Sequence, residues 1–199
     1  MPSPLGHTLA GVCGFLLNRQ LMTSHHRIWL CGASVVIAIL PDFDVVPGLL
    51  LGDPRMFHQK GTHSITAAVV VGLLVGGVAR RWKLNGLGWG IWGGGLYLSH
   101  LLLDLLVEDP SPPFGILLFW PFSEAYFVSP ITPFGGFHYY DPAIGMWRTM
   151  LSFDNLVLML HEIVFIAPFA GLAWYVGNYR SQLRSKPKLG QDAQASRPL

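Results

Sequence analysis

The sequence has very few charged residues. Only 12% of its 199 residues are charged, whereas 51% are hydrophobic, and soluble domains usually carry about 25% charged residues. This shortage argues against a water-soluble domain, and the length leaves room for a single domain. The net charge of +2 is small, and no dense basic patch is present to follow a phosphate backbone. We therefore expect no nucleic-acid partner.

Cysteine is also scarce. Cys13 and Cys31 both lie inside apolar stretches, which predicts two reduced, buried thiols that carry no information on the redox compartment. The first four residues, Met-Pro-Ser-Pro, bring no basic residue ahead of the apolar run. That is atypical of a cleavable signal peptide.

Hydrophobic residues are concentrated in five stretches: 5–17, 28–40, 64–78, 87–107 and 156–175. Because backbone polar groups cannot stay unpaired in lipid, such stretches should be helices. The pattern predicts an all-α, polytopic membrane bundle of about five helices, in which the first and shortest could be only a half-span. Residues 1–180 form this single domain, and residues 181–199 are expected to be a disordered cytoplasmic tail. Glycines spaced by four, at Gly72 and Gly76 and at Gly86, Gly90 and Gly94, predict close helix packing.

Basic residues predict the orientation of these helices. Ten of the thirteen fall in alternate connections or in the tail: Arg19, Arg27, Arg80, Arg81, Lys83, Arg180, Arg184, Lys186, Lys188 and Arg197. By the positive-inside rule these ten are cytoplasmic. The prediction is a multi-pass protein of a prokaryotic inner membrane, with its N-terminus outside and its C-terminus inside.

A long connection, residues 108–155, is rich in proline and aromatic side chains. Aromatic residues favour the membrane–water interface. We expect the connection to fold over the outer ends of the helices as an interfacial layer. Either it positions a lipid or amphiphile above a site, or it is an anchor without substrate contact.

Seven side chains that could bind a metal fall at one end of the apolar stretches: His7, Asp42, Asp44, His58, His63, His100 and Asp104. His100 and Asp104 are four apart, so they share one helical face. Carboxylates near helix C-termini and imidazoles near helix N-termini both favour a bound cation. Ionisable residues in a membrane also need partners. The set therefore predicts a divalent metal site on the extracytoplasmic side.

Together these residues carry a family resemblance. His7, Pro-Asp-Phe-Asp at 41–44, His-Gln-Lys-Gly-Thr-His-Ser at 58–64, Ser-His-x3-Asp at 99–104 and Trp-Pro-Phe at 120–122 resemble the inner-membrane metal-dependent hydrolases, which are also labelled LexA-binding. The resemblance covers residues 7 to 122. Many members have His-Arg-Gly where this chain has His58-Gln59-Lys60-Gly61, so the basic residue is shifted. The ligand types are also similar to those of zinc-dependent phospholipase C. The resemblance implies a hydrolase.

The mixed histidine and aspartate set suits Zn²⁺, with Mn²⁺ or Mg²⁺ as alternatives, in one or two ions. Two ions bridged by Asp42 or Asp44 would suit phosphoester cleavage by metal-activated water. Glu162, inside the last apolar stretch, is a candidate ligand, second-layer partner or proton acceptor. Ser64 either orients His63 or simply caps a helix. His138 and Glu124 are weaker candidates.

The leading hypothesis is a phospholipase-like hydrolase of a lipid-linked or amphiphilic ester, with membrane lipids as its surroundings. Two other classes stay open. Intramembrane histidines and carboxylates also serve ion or metal transporters, although five helices without an internal repeat fit that class less well. A membrane scaffold or regulator is the third, as the LexA-binding label implies, although the short cytoplasmic loops offer little surface to a partner.

Overall fold

The computed structural model describes residues 1–51, 56–109, 114–139, 141 and 143–185. Within these residues the regular structure is helical, apart from two isolated β-bridges. The α-helices are α1 (Pro4–Asn18), α2 (Ser24–Ile39), α3 (Val45–Leu50), α4 (Ile65–Arg81), α5 (Gly86–Leu105), α6 (Met146–Met150) and α7 (Phe153–Ser185). Three 3₁₀ turns cover Arg19–Leu21, Leu40–Asp44 and Gly61–His63. The all-α prediction is confirmed for this part of the chain.

Polar side chains set where the helices begin. Ser3 caps α1 by accepting from the Gly6 amide, with Pro4 at the first helical position, a position that favours proline. Ser64 caps α4 and Asn85 caps α5 in the same way. α2 ends just before Pro41, where the chain tightens into a 3₁₀ turn. The caps at Ser3 and Ser64 fix helix ends next to the candidate ligands His7 and His63, whereas the cap at Asn85 fixes the opposite end of the bundle.

Glycines let α4 and α5 pack closely. A Cβ at Gly76 would lie 2.7 Å from the Gly86 carbonyl oxygen, and one at Gly72 would lie 3.0 Å from that of Gly90. Because residues 72 and 76 pair with 90 and 86 in reverse order, the two helices are antiparallel. The predicted role of these glycines in helix packing is confirmed.

α1 lies between α2, α5 and α7. Gly11 packs on the backbone of Val35 in α2, and Trp92 of α5 donates its indole N–H to the Gly14 carbonyl at 3.3 Å. Near one end of α1, Ser3 contacts Glu162 of α7; just beyond the other end, Arg19 binds Asn178. Sequence numbers rise together along both helices, so α1 and α7 run parallel.

Two stretches, Ser24–Gly48 and Phe153–Leu183, are long and apolar enough to cross a membrane. α4 and α5 also expose large apolar side chains, such as Leu73 and Ile91. α7 continues to Ser185, five residues past the predicted tail boundary, and residues 186–199 lie outside the described part. Cys13 and Cys31 are free, as predicted, but only partly buried.

Candidate metal centre

Six of the seven predicted ligands sit on four separate pieces of helix that meet at one end of the bundle, and the seventh, His58, lies in the turn before Gly61–His63. His7 lies in the first turns of α1, and Asp42 in the 3₁₀ turn that follows α2. His63 ends the 3₁₀ turn before α4, while His100 and Asp104 lie in the last turns of α5. The sequence-based expectation that these side chains share one end therefore agrees with the structure.

Five of them converge, and we call His7, Asp42, His63, His100 and Asp104 the inner cluster. The Nε2 atoms of His100 and His63 lie 3.2 and 3.4 Å from Oδ2 of Asp104. The same two atoms lie 3.4 and 3.6 Å from Oδ1 of Asp42. Nε2 of His7 lies 3.6 Å from Oδ1 of Asp104, and its ring stacks on that of His100. The cluster thus presents three imidazoles and two carboxylates.

Seven side-chain atoms of the inner cluster are buried and lack hydrogen-bond partners in the structure. They are His7 Nδ1 and Nε2, Asp42 Oδ1, His63 Nε2, His100 Nε2, and Asp104 Oδ1 and Oδ2. Buried polar atoms are almost always paired, because leaving one unpaired costs about 1–3 kcal/mol. Potential ligand atoms here lie within 4.8 Å of one another in overlapping sets of three. One divalent ion could satisfy several of them at once, so the residues fit a metal.

Asp44 stands behind the inner cluster. Its Oδ1 accepts from His58 Nδ1 at 2.7 Å, and its Oδ2 accepts from the Thr62 hydroxyl at 2.5 Å. The same Oδ2 lies 3.2 Å from His63 Nδ1, which leaves Nε2 of His63 turned inward. A carboxylate on the distal nitrogen commonly orients a metal-ligating histidine. Asp44 therefore orients His63 from outside the inner cluster. Of the two aspartates predicted as a possible bridge between two ions, Asp42 is the one that lies inside the cluster.

His100 is oriented in a similar way. Its Nδ1 donates to the Ala38 carbonyl at 2.8 Å, so its Nε2 faces the cluster. His58 lies at the edge: its Nδ1 is bound to Asp44, its Nε2 contacts the Met1 sulfur, and its ring meets that of His63 edge-on. One ring nitrogen of His58 is still close enough to Asp42 and His63 to share an ion with them.

The charge of this region also favours a cation. Asp42, Asp44 and Asp104 bring three carboxylates into a buried volume, and burying unbalanced charge is costly. Burial lowers the pKa of His63, but the neighbouring carboxylates of Asp42 and Asp44 more than offset this effect and raise the pKa to about 9. Without a metal, His63 would carry a proton that balances part of this charge.

Glu162 and Ser64, both predicted to act in catalysis, are placed outside the inner cluster. Oε1 of Glu162 accepts from the Ser3 amide at 2.7 Å and Oε2 accepts from the Ser3 hydroxyl. A Cβ at Gly6 would lie 3.0 Å from Oε2. Glu162 thus anchors the start of α1, the helix that carries His7. Ser64 caps α4 and donates to the Gly61 carbonyl at 2.6 Å.

Sequence reasoning missed two supporting residues. Ser3 is fully buried and joins α1 to α7; a Ser-Pro pair ahead of an apolar run was the signal for a helix cap. Tyr97, also buried, donates its hydroxyl to the Thr62 carbonyl at 2.7 Å and so fixes the turn that carries His63. In the described part of the chain, Glu124, His138 and His161 do not join the inner cluster.

The aromatic-rich connection lies against the same end of the bundle. Backbone amides of Leu117 and Ser129 donate to the carbonyls of Gln59 and Leu105, at 3.3 and 2.9 Å. The Phe137 amide donates to the Met1 carbonyl at 3.0 Å. Four side chains of the inner cluster are at most 1% exposed, whereas that of Asp42 is 25% exposed. Access to the cluster is therefore on the side of Asp42.

Comparison with known protein families gives a match over most of the chain. A sequence model of the YdjM inner membrane proteins covers residues 1–182. No curated protein and no solved structure matches the chain. The matched range contains all five long helices except the last residues of α7, together with every member of the inner cluster. The chain therefore belongs to the YdjM inner membrane protein family.

Proposed function

We propose that this protein is a membrane-embedded, metal-dependent hydrolase that cleaves a phosphoester or other ester in an amphiphilic substrate. The observation that carries the proposal is the inner cluster, in which three imidazoles and two carboxylates turn unpartnered atoms toward one another. A purely structural cluster would pair those atoms with hydrogen-bond donors and acceptors.

The donor set favours Zn²⁺. Three imidazole nitrogens with carboxylate oxygens and no thiolate suit Zn²⁺ or Mn²⁺, whereas Mg²⁺ prefers oxygen ligands and retains water. Asp42 belongs to two of the possible ligand sets, one with His7 and His100 and one with His58 and His63. Asp42 is thus the residue best placed to bridge two ions.

When bound, the ion supplies Lewis-acid chemistry and makes water acidic enough to act at neutral pH. The chain's own residues do the rest. Asp44 and the Ala38 carbonyl hold His63 and His100 with their Nε2 atoms inward. The Glu162–Ser3 contact holds α1, and the aromatic-rich connection limits water on one side. The partly exposed Asp42 marks the direction from which substrate reaches the site.

We further propose that all five long helices cross the inner membrane, with the site on the extracytoplasmic side. Odd-numbered spans must point the same way, and the parallel arrangement of α1 and α7 supports this. Basic residues at the opposite end, among them Arg80, Arg81 and Lys83, favour the cytoplasm. In a chain without Cys13 and Cys31, Phe122→Cys should react with an impermeant thiol reagent in intact cells and Lys83→Cys should not. The reverse pattern would overturn this topology.

Metal analysis of protein purified in detergent without chelators tests the hydrolase proposal. We expect stoichiometric Zn²⁺ or Mn²⁺ in the wild type and loss of most of it in His100→Ala. The matched control is His161→Ala, because His161 is exposed on α7 outside the cluster, and it should keep its metal. Wild-type protein without transition metal would remove the proposal. Metal-dependent release of phosphate from an amphiphilic ester is the corresponding activity assay.

Transport is the less favoured reading. Transporter sites usually lie near the middle of the membrane, between repeated halves, whereas the inner cluster lies at helix ends. Metal uptake into proteoliposomes, unaffected by lipid esters, would favour transport instead.

A further inference from the structure

A second feature lies beside the inner cluster, on the opposite side of Asp44 and Thr62. It is an open groove of about 380 Å³, and we call it the Lys60 groove. Its lining includes Asp44, Phe57, Lys60, Gly61, Thr62 and Trp120. Thr62 and Asp44 also contact His63. The groove is therefore separated from the candidate metal centre by a single layer of side chains.

Backbone geometry builds this groove. Gln59 has a positive φ of 62°, a conformation that non-glycine residues adopt rarely. Its carbonyl accepts from the Leu117 amide at 3.3 Å, which ties the turn to the aromatic-rich connection. A Cβ at Gly61 would lie 3.1 Å from Cε3 of Trp120. Glycine at this position thus lets the indole lie directly on the backbone next to Lys60.

Among the lining residues that the structure describes, Lys60 is the cation and no acid is free to neutralise it. The Lys60 ammonium donates one hydrogen bond, to the Met56 carbonyl at 2.5 Å, and an ammonium has three donors. Asp44 is the acid in the lining, but its side chain is 3% exposed and both oxygens are already bound. Lys60 can therefore donate to an anionic group that enters the groove.

The walls and rim of the groove are apolar and exposed. Trp120 is 43% exposed and Phe57 is 42% exposed, and the neighbouring Phe122 is 88% exposed. Exposed aromatic side chains of this kind favour the membrane interface. Lys60 would be the one described cation to hold a free phosphate ion, and the apolar walls would add no favourable contact with that ion. A molecule with an anionic head and a hydrocarbon tail matches both parts of the groove.

We propose that the Lys60 groove binds an anionic phospholipid, with its phosphate at the Lys60 ammonium and an acyl chain along Trp120. Resting on the proposed function, this assigns the substrate class as a lipid phosphoester, which the groove holds beside the metal centre before the ester reaches the inner cluster from the side of Asp42. The role of Lys60 is to position the substrate.

Native mass spectrometry of the full chain in detergent tests the proposal, with phosphatidylglycerol as the anionic probe and phosphatidylcholine as the zwitterionic one. Wild-type protein should bind phosphatidylglycerol more tightly. Lys60→Gln should weaken that binding about fivefold, the usual contribution of one lysine near a lipid surface, and Lys60→Arg should retain it. Lys83→Gln is the matched control, an exposed lysine just beyond the other end of α4, and should weaken the binding clearly less than Lys60→Gln, because Lys83 does not line the groove.

Equal binding of the two lipids, or equal losses in Lys60→Gln and Lys83→Gln, would overturn the proposal. Displacement of phosphatidylglycerol by excess inorganic phosphate would also overturn it, since the groove would then be an anion site without lipid preference. Metal content measured on the same samples separates the two proposals. If the wild type contains no metal but binds lipid in a Lys60-dependent way, only the hydrolase proposal is refuted. If the wild type contains stoichiometric metal but its lipid binding does not depend on Lys60, only the lipid proposal is refuted.

Discussion

Replacing Asp104 by asparagine should abolish the effect of metal on thermal stability. Asp104 contacts His7, His63 and His100, and both of its oxygens are unpartnered. Asparagine keeps the shape of the side chain but removes the charge that a divalent ion requires. We expect a chelator to lower the apparent unfolding midpoint of the wild type and to leave that of Asp104→Asn unchanged.

The expected shift of the unfolding midpoint can be worked out for one tightly bound ion. An ion at a thousand times its dissociation constant stabilises the folded state by about 4 kcal/mol. For a chain of this length about 1 kcal/mol corresponds to about 2–4 °C, so the chelator should lower the midpoint by about 8–16 °C. A stabilisation of about 4 kcal/mol is smaller than the total cost of leaving seven buried atoms of the inner cluster without partners, since each such atom costs about 1–3 kcal/mol.

Thermal unfolding in detergent, followed by tryptophan fluorescence with and without chelator, measures these midpoints. Asp154→Asn is the control, because Asp154 is an exposed acid at the start of α7, and it should respond to chelator as the wild type does. A wild-type midpoint that does not move with chelator, or an Asp104→Asn midpoint that does, would refute the reasoning.

Three further predictions concern the support of the site. Asp44→Asn should weaken metal binding about 10–100-fold without abolishing it, as expected for a residue that orients a ligand; competition with a zinc chelator measures this, and complete loss would make Asp44 a ligand. Gly76→Ala should destabilise the protein by about 1–3 kcal/mol through overpacking, whereas Gly77→Ala, with open space around it, should stabilise by up to about 1 kcal/mol; equal unfolding midpoints would contradict the α4–α5 packing. Glu162→Gln should keep its full metal content, because Glu162 binds Ser3. Loss of metal in that variant would identify Glu162 as a metal ligand.

The sequence predicts the helices and the shared end of the ligands for a simple physical reason. Each polar ligand interrupts or borders an apolar stretch, and connections alternate between the two ends of a bundle. His7, His63 and Asp104 could therefore be grouped without knowing any contact. That the five helices all cross a membrane stays a prediction.

The sequence could not predict which of Asp42 and Asp44 faces the inner cluster and which one orients His63 from behind it. The two residues lie in one short motif, and the sequence alone does not show that it forms a 3₁₀ turn. With three residues per turn, positions two apart point in different directions, so Asp42 faces the cluster and Asp44 faces its back. Glu162 is a related case: its place inside an apolar stretch predicts that it needs a partner, but not that the partner is Ser3, which is 159 residues away.

The contact between Ser3 and Glu162 also has a consequence for the order of assembly. His7 is made among the first residues, yet the helix that carries it is anchored by a side chain of the last long helix. The ribosome has translated most of the protein before that anchor exists. Newly made chains therefore cannot fix the position of His7, and with it the complete inner cluster, until synthesis is nearly finished.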